Sequence, residues 1–215
     1  FRDGFDRRAA EAVVDLGDAP KGEKVRDVLG TLCNHSLLNS RNVMGRKRFC
    51  VYNQTVQDFG RHSWGEGHDE RNPPSDLARR HADHFLSYVE NWKKLIHSEQ
   101  CKSALDHLAL EEENILAAHQ WYLRHGLADC AARIILGFVP SLFVRGQARA
   151  SILSLAQTLD AIQKEHPDYR VPLLVALAEA NWSVGRWADA NAQTEEAVRI
   201  VQESPESGHH IDALS

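Results

Sequence analysis

No stretch of this sequence approaches the roughly 18 consecutive apolar residues expected of a membrane-crossing helix, so its 43% apolar and 26% charged residues belong to a chain built for water. Its four cysteines, Cys33, Cys50, Cys101 and Cys130, stand too far apart for a CxxC pair or a zinc ribbon. At 215 residues the chain has core enough to fold without disulfide staples, and free thiols in a reducing cytoplasm are the expectation. No basic, apolar leader opens it. Strong charge of one sign is also missing: residues 1–80 carry 14 Lys and Arg against 12 Asp and Glu, and residues 81–215 carry 11 against 18. A faintly basic front and an acidic rear lack the footprint that phosphate-backbone binding needs, so nucleic acid is disfavoured as a partner.

A nucleotide loop is lacking as well. GDAPKGEK at 17–24 has Glu23 after its second glycine, where a phosphate-binding loop needs lysine, and no Ser or Thr follows to reach magnesium. A carboxylate there repels phosphate, so the segment reads as a surface turn. No constellation for catalysis or for metal emerges elsewhere. His81 and His84 lie one helical turn apart without a third ligand and read as packing histidines. Glu111, Glu112 and Glu113 read as solvated charge at the positive end of a helix. The five tryptophans, Trp64, Trp92, Trp121, Trp182 and Trp187, recur at core spacing and read as packing residues. The chain is expected to be neither an enzyme nor the holder of a cofactor.

What is present is helical periodicity. Residues 6–16 and 23–34 carry apolar groups at helical spacing, the second through Val25, Val28, Leu29 and Leu32. The runs SLLNS and KRFCVY then flank NVMG, where Asn42 and Gly45 supply turn chemistry for a hairpin. A helix over about 53–63 closes a small winged-helix unit spanning 1–65, and GEGHDERNPPSD marks a linker at 66–75. Arg46, Lys47 and Arg48 sit on the wing, but the helix at 23–34 has its only basic groups, Lys24 and Arg26, crowded beside Glu23 and Asp27, which argues against DNA reading.

From residue 76 to 215 the pattern is that of stacked helix pairs. Leu77, His81, His84, Tyr88, Trp92 and Leu95 form one stripe behind Ser75 as N-cap. Further helices are expected at 100–125, 127–144, 148–164, 171–184 and 187–203, punctuated by Gly126, Gly146, His166-Pro167 and Gly185. Counting Val171 as position one, Leu174, Leu177, Ala178, Gly185, Trp187, Ala190 and Ala197 fit a tetratricopeptide repeat, and a looser echo surrounds Gly146. The fold class is therefore mainly α: a winged-helix unit with one β-hairpin, then an α-solenoid of tetratricopeptide-like pairs.

In order, FRDGFDRRAAEAVV, LGTLCNHSLL, RFCVYNQTVQDFG, RRHADHFLSYVE and LEEENILAAHQWYLRHG resemble the region that follows the nucleotide-binding module in bacterial STAND signalling ATPases, the AfsR-like and MalT-like regulators. The likeness covers nearly the whole chain. An opening on Phe1 rather than Met fits a piece of a longer polypeptide. The resemblance implies a regulatory arm, coupling ATP or ADP in a separate NTPase domain of the same polypeptide to a protein or small-molecule signal on the repeats. Eukaryotic relatives carry Met-His-Asp at the entry to the closing helix, with the His on a nucleotide phosphate. Tyr52, Asn53 and Gln54 stand there in this chain, making Asn53 and Gln54 the candidate nucleotide-facing residues, with an amide in place of a charge. Two other functions compete with this one: a constitutive protein-binding scaffold, and a DNA-binding regulator that uses the wing.

Overall fold

The computed structural model describes residues 1–16, 24–51, 55, 75–162 and 167–203. Among these the chain is mainly α, with nine helices and one three-stranded antiparallel sheet. It divides into two compact units, Phe1–Phe85 and Leu86–Ser215. The division falls inside a helix, Ser75–Lys93.

The first unit runs β1 (Phe5–Asp6), α1 (Arg7–Val13), α2 (Val25–Asn34), β2 (Leu38–Val43) and β3 (Arg46–Val51), followed by the first half of α3 (Ser75–Lys93). Asp6 starts α1 by accepting the Ala9 N–H at 2.8 Å, and it also faces Arg46 at 3.6 Å. The hairpin turn differs from the expected one. Asn42 pairs with Lys47 inside the ladder, and the two-residue turn is Met44-Gly45, both at positive φ (51° and 74°) as a type I′ turn requires. Two-residue periodicity puts Leu38 and Phe49 on one face of the sheet, where they bury against Ala10 of α1 and Leu29 of α2. The third strand, β1, was not foreseen. Its two residues pair Phe5 with Phe49 and Asp6 with Arg48, giving the order β1-β3-β2.

In the second unit the expected helix over 100–125 is two helices, α4 (Cys101–Leu110) and α5 (Glu112–Arg124). The break at Glu111 has neither glycine nor proline. Instead the Glu111 side chain is buried and accepts from the Asn114 amide at 2.7 Å, a local bond that competes with continued helix. Then follow α6 (Ala128–Val144), α7 (Ala148–Ala161), α8 (Pro167–Ser183) and α9 (Trp187–Glu203).

Three helix ends share one geometry. Gly126, Gly146 and Gly185 take φ of 70°, 71° and 81°, and the next residue's N–H reaches back to Tyr122, Leu142 and Asn181 respectively, at 2.8–3.0 Å. This left-handed cap reverses the chain while satisfying carbonyls that a helix end would leave bare. Each helix from α5 to α8 packs on its successor, and α6 also packs on α4 and on α8, so α4, α6 and α8 form one layer. The core of the pairs is Ala132, Ile135 and Val139 of α6 against Leu155 of α7 and Leu173, Leu177 and Ala180 of α8. Ala197 of α9 closes on Val171 and Leu174, as the repeat register requires.

The stripe on α3 is displaced by one residue from the expected one. Ala78, Ala82, Phe85 and Val89 are buried, while Leu77, His81, His84 and Tyr88 flank them half-buried. The buried stripe mixes small alanines with one large aromatic, Phe85. At Val89 the helix lies close to α6: a Cβ on Gly137 would lie 2.5 Å from a Val89 methyl.

Gly137→Ala should therefore destabilise the second unit by about 1–3 kcal/mol, because Val89 must move or the helices must part. Ala197→Leu should do the same at the α8–α9 contact, by a similar amount. Urea midpoints equal to wild type for both variants would show that neither interface is close-packed.

Candidate functional site

Asn53 and Gln54, the candidate nucleotide-facing pair, lie outside the described residues, as do Trp64, all of the closing helix expected over 53–63 except Thr55, and most of the 66–75 linker. Interest falls on four other places.

The first is the basic wing. Arg48 is 2% exposed and gives its guanidinium N–H groups to the carbonyls of Asp3 (3.1 Å) and Gly4 (3.2 Å). It is a strut of the sheet edge. Arg46 is held near Asp6, and Lys47 lies over the Phe49 ring at 5.4 Å. Of the three basic residues placed on the wing, Arg48 turns inward, its guanidinium held by the backbone carbonyls of Asp3 and Gly4. Nothing in a one-letter run of three basic residues tells which of them turns inward.

The second place is the histidine pair. His81 and His84 pack on Phe85 with ring centroids at 4.7 and 5.0 Å, and burial lowers the His84 pKa below the usual histidine value, opposed by the Asp6 charge. Among the described residues no group of three or more His, Cys, Asp or Glu is placed to hold a metal ion. Glu111, expected to be solvated, is instead the buried partner of Asn114, while Glu112 is paired with Arg145.

The third is His119, fully buried on α5. Its Nε2 lies 2.7 Å from Thr158 Oγ1 on α7, and that hydroxyl already donates to the Ser154 carbonyl at 2.8 Å. The hydroxyl proton being committed, Nε2 must carry the hydrogen and donate to Thr158. Nδ1 then presents a lone pair with no partner among the described residues. A second proton would be buried without an acceptor, and burial alone drops the His119 pKa to about 4. By contrast, His107 and His125 set Nδ1 against the carbonyl four residues back, at 2.7 and 2.8 Å.

The fourth is an exposed aromatic pair. Trp182 and Trp187 were expected to pack in the core. They are 59% and 53% exposed, edge to face at 4.4 Å on either side of the Gly185 turn. The other two described second-unit tryptophans do pack: Trp92 stacks on His107 and Trp121 on His125. At the Gly146 turn the corresponding positions, 39 residues earlier, are Phe143, which packs on the α6–α7–α8 core, and Ala148, which is buried. Along α8, Val175, Glu179 and Trp182 follow at helical spacing of four and three and are all exposed, which places them on one face. An apolar-acidic-aromatic stripe ending in a second indole is a surface suited to binding rather than to chemistry. The helical register assigned in the sequence already puts these three on one side. Their exposure depends on which neighbouring helix covers them.

No protein-family model, curated protein or solved structure matches this chain. No described helix is long and apolar enough to cross a membrane.

His119 makes the second unit acid-sensitive. Its folded pKa lies below the unfolded value of about 6.5, so the unfolded chain takes the proton first and stability falls as pH drops through 6.5 toward 4. Between pH 7 and pH 5 this group should remove about 2 kcal/mol. His119→Gln keeps a donor for Thr158 without titrating and should flatten that part of the profile. A variant whose urea midpoint falls with pH as steeply as wild type would acquit His119.

Proposed function

We propose that this chain is the regulatory arm of a cytoplasmic STAND-type signalling ATPase, receiving a protein or small-molecule signal on its helical repeats and passing it to a nucleotide-binding domain in the same polypeptide. The observation that carries the reading is the pairing of two unlike units in order: a strand-helix-helix-hairpin unit, then antiparallel helices stacked in layers. The second unit presents an exposed face on α8. Repeats of this kind respond as a whole, since each helix pair touches only its neighbours and a ligand on one face changes the curvature of the stack. Binding that favours one arrangement over another then shifts the population of states by its differential affinity.

In this reading Asn53 and Gln54 face the nucleotide phosphates. As neutral amides they contribute about 1 kcal/mol, against about 1.5–3 kcal/mol for a charged partner. The absence of an intact phosphate-binding loop at 17–24 leaves hydrolysis to the separate domain.

The test uses the full-length polypeptide. Asn53→Ala with Gln54→Ala should weaken ADP retention by about fivefold, as measured by release of a fluorescent ADP analogue. Unchanged release would remove these residues from the nucleotide site. A full-length polypeptide that binds neither ATP nor ADP would end the STAND reading altogether and favour a constitutive scaffold.

A further inference from the structure

The exposed indoles are the least explained feature of the second unit. Burial of a large apolar side chain is a main stabilising contribution to folding, and two tryptophans left more than half exposed forgo what Phe143 gains one hairpin earlier by packing on the core. Their own mutual contact is edge to face, which covers one ring face and leaves others open.

The surrounding charge says what belongs there. Residues 167–203 carry six Asp and Glu against three Lys and Arg. One opposite pair is internal, Arg170 to Glu196 at 2.6 Å. Glu179, one turn before Trp182 on the same exposed face, forms no ion pair among the described residues. A carboxylate beside an open indole face is a site for a cation, drawn by the charge of one and the quadrupole of the other. Val175 extends the same stripe with an apolar contact. Arg186, exposed in the turn, is a cation at the far end of the patch, so the bound cation belongs toward Glu179.

We propose that Val175, Glu179, Trp182 and Trp187 form a docking surface for a peptide segment in which a lysine or arginine lies beside a large apolar side chain, the cation between Glu179 and the Trp182 ring. This rests on the reading of the repeats as the signal-receiving surface and names the class of partner it receives. Acidic segments meet Glu179 and the negative hairpin and are rejected.

A random peptide library displayed on phage, panned on the chain, tests this directly. The enriched peptides should combine Lys or Arg with Leu, Met or an aromatic residue. Measured as synthetic peptides by fluorescence anisotropy, they should lose about tenfold or more in affinity to Trp182→Ala and to Glu179→Lys. Both substitutions are on exposed positions, and unchanged urea midpoints would establish that the variants are folded. Enriched peptides that are neutral or acidic yet still need Trp182 would overturn the partner class while leaving the repeats as the receiving surface. Peptides that bind both variants as tightly as wild type, or no enrichment at all, would overturn the site. A dimer seen by sedimentation and lost in Trp182→Ala would also overturn it, by giving the face to a second copy.

Discussion

The left-handed turn at the end of a helix is the constraint on which the second unit depends. At Gly126, Gly146 and Gly185 the chain leaves a helix with the same backbone bond, and each next helix starts within two residues. A side chain at such a φ is strained, so glycine sets both the place of reversal and the direction in which the following helix departs. These reversals fold α5 onto α6, α6 onto α7 and α8 onto α9, so that the apolar faces of successive helices close on one another. The first unit manages a similar helix end without glycine: Ser36 takes φ of 57° after α2, and the Leu37 N–H returns to the Leu32 carbonyl at 2.9 Å.

Between the layers, register is carried by a few buried polar groups. His119 ties α5 to α7 through Thr158, Ser141 ties α6 to the Leu105 carbonyl, and Tyr88 ties α3 to the His107 carbonyl. Each such bond adds little net stability but makes a slipped packing expensive, because a buried donor or acceptor would be left bare. The lowered pKa of His119 follows from the same burial. Arg48 serves the first unit in the same way, gathering the carbonyls of Asp3 and Gly4 where the sheet edge turns into α1.

Much of this was readable from residue order. Gly146, Gly185 and the apolar spacing between them placed α6, α8 and α9 to within a few residues, and Gly45 between two short extended runs marked the hairpin. The misreadings share a cause. Glu111 broke a helix through a side-chain bond that periodicity does not register, and Asn42 entered the ladder because Met44 accepted the left-handed position. On α3 the buried stripe, Ala78, Ala82, Phe85 and Val89, lies one residue along from the one that periodicity picks out, because helical spacing alone does not say which of two adjacent faces is covered. Asn53 and Gln54 stand out only through the resemblance, whereas the exposure of Trp182 depends on which neighbouring helix covers α8.

By itself the sequence determined which segments are helices, where most of them stop and that a small hairpin precedes them, since periodicity and turn chemistry are local and act through nearest neighbours along the chain. Only the tertiary structure decided which side of each helix is covered. That choice depends on contacts between residues far apart in sequence: Val89 with Gly137, Ala197 with Leu174, His119 with Thr158. It turned Arg48 and Glu111 inward and left Trp182 and Trp187 open, because burial is a property of the neighbours a residue meets and not of the residue itself.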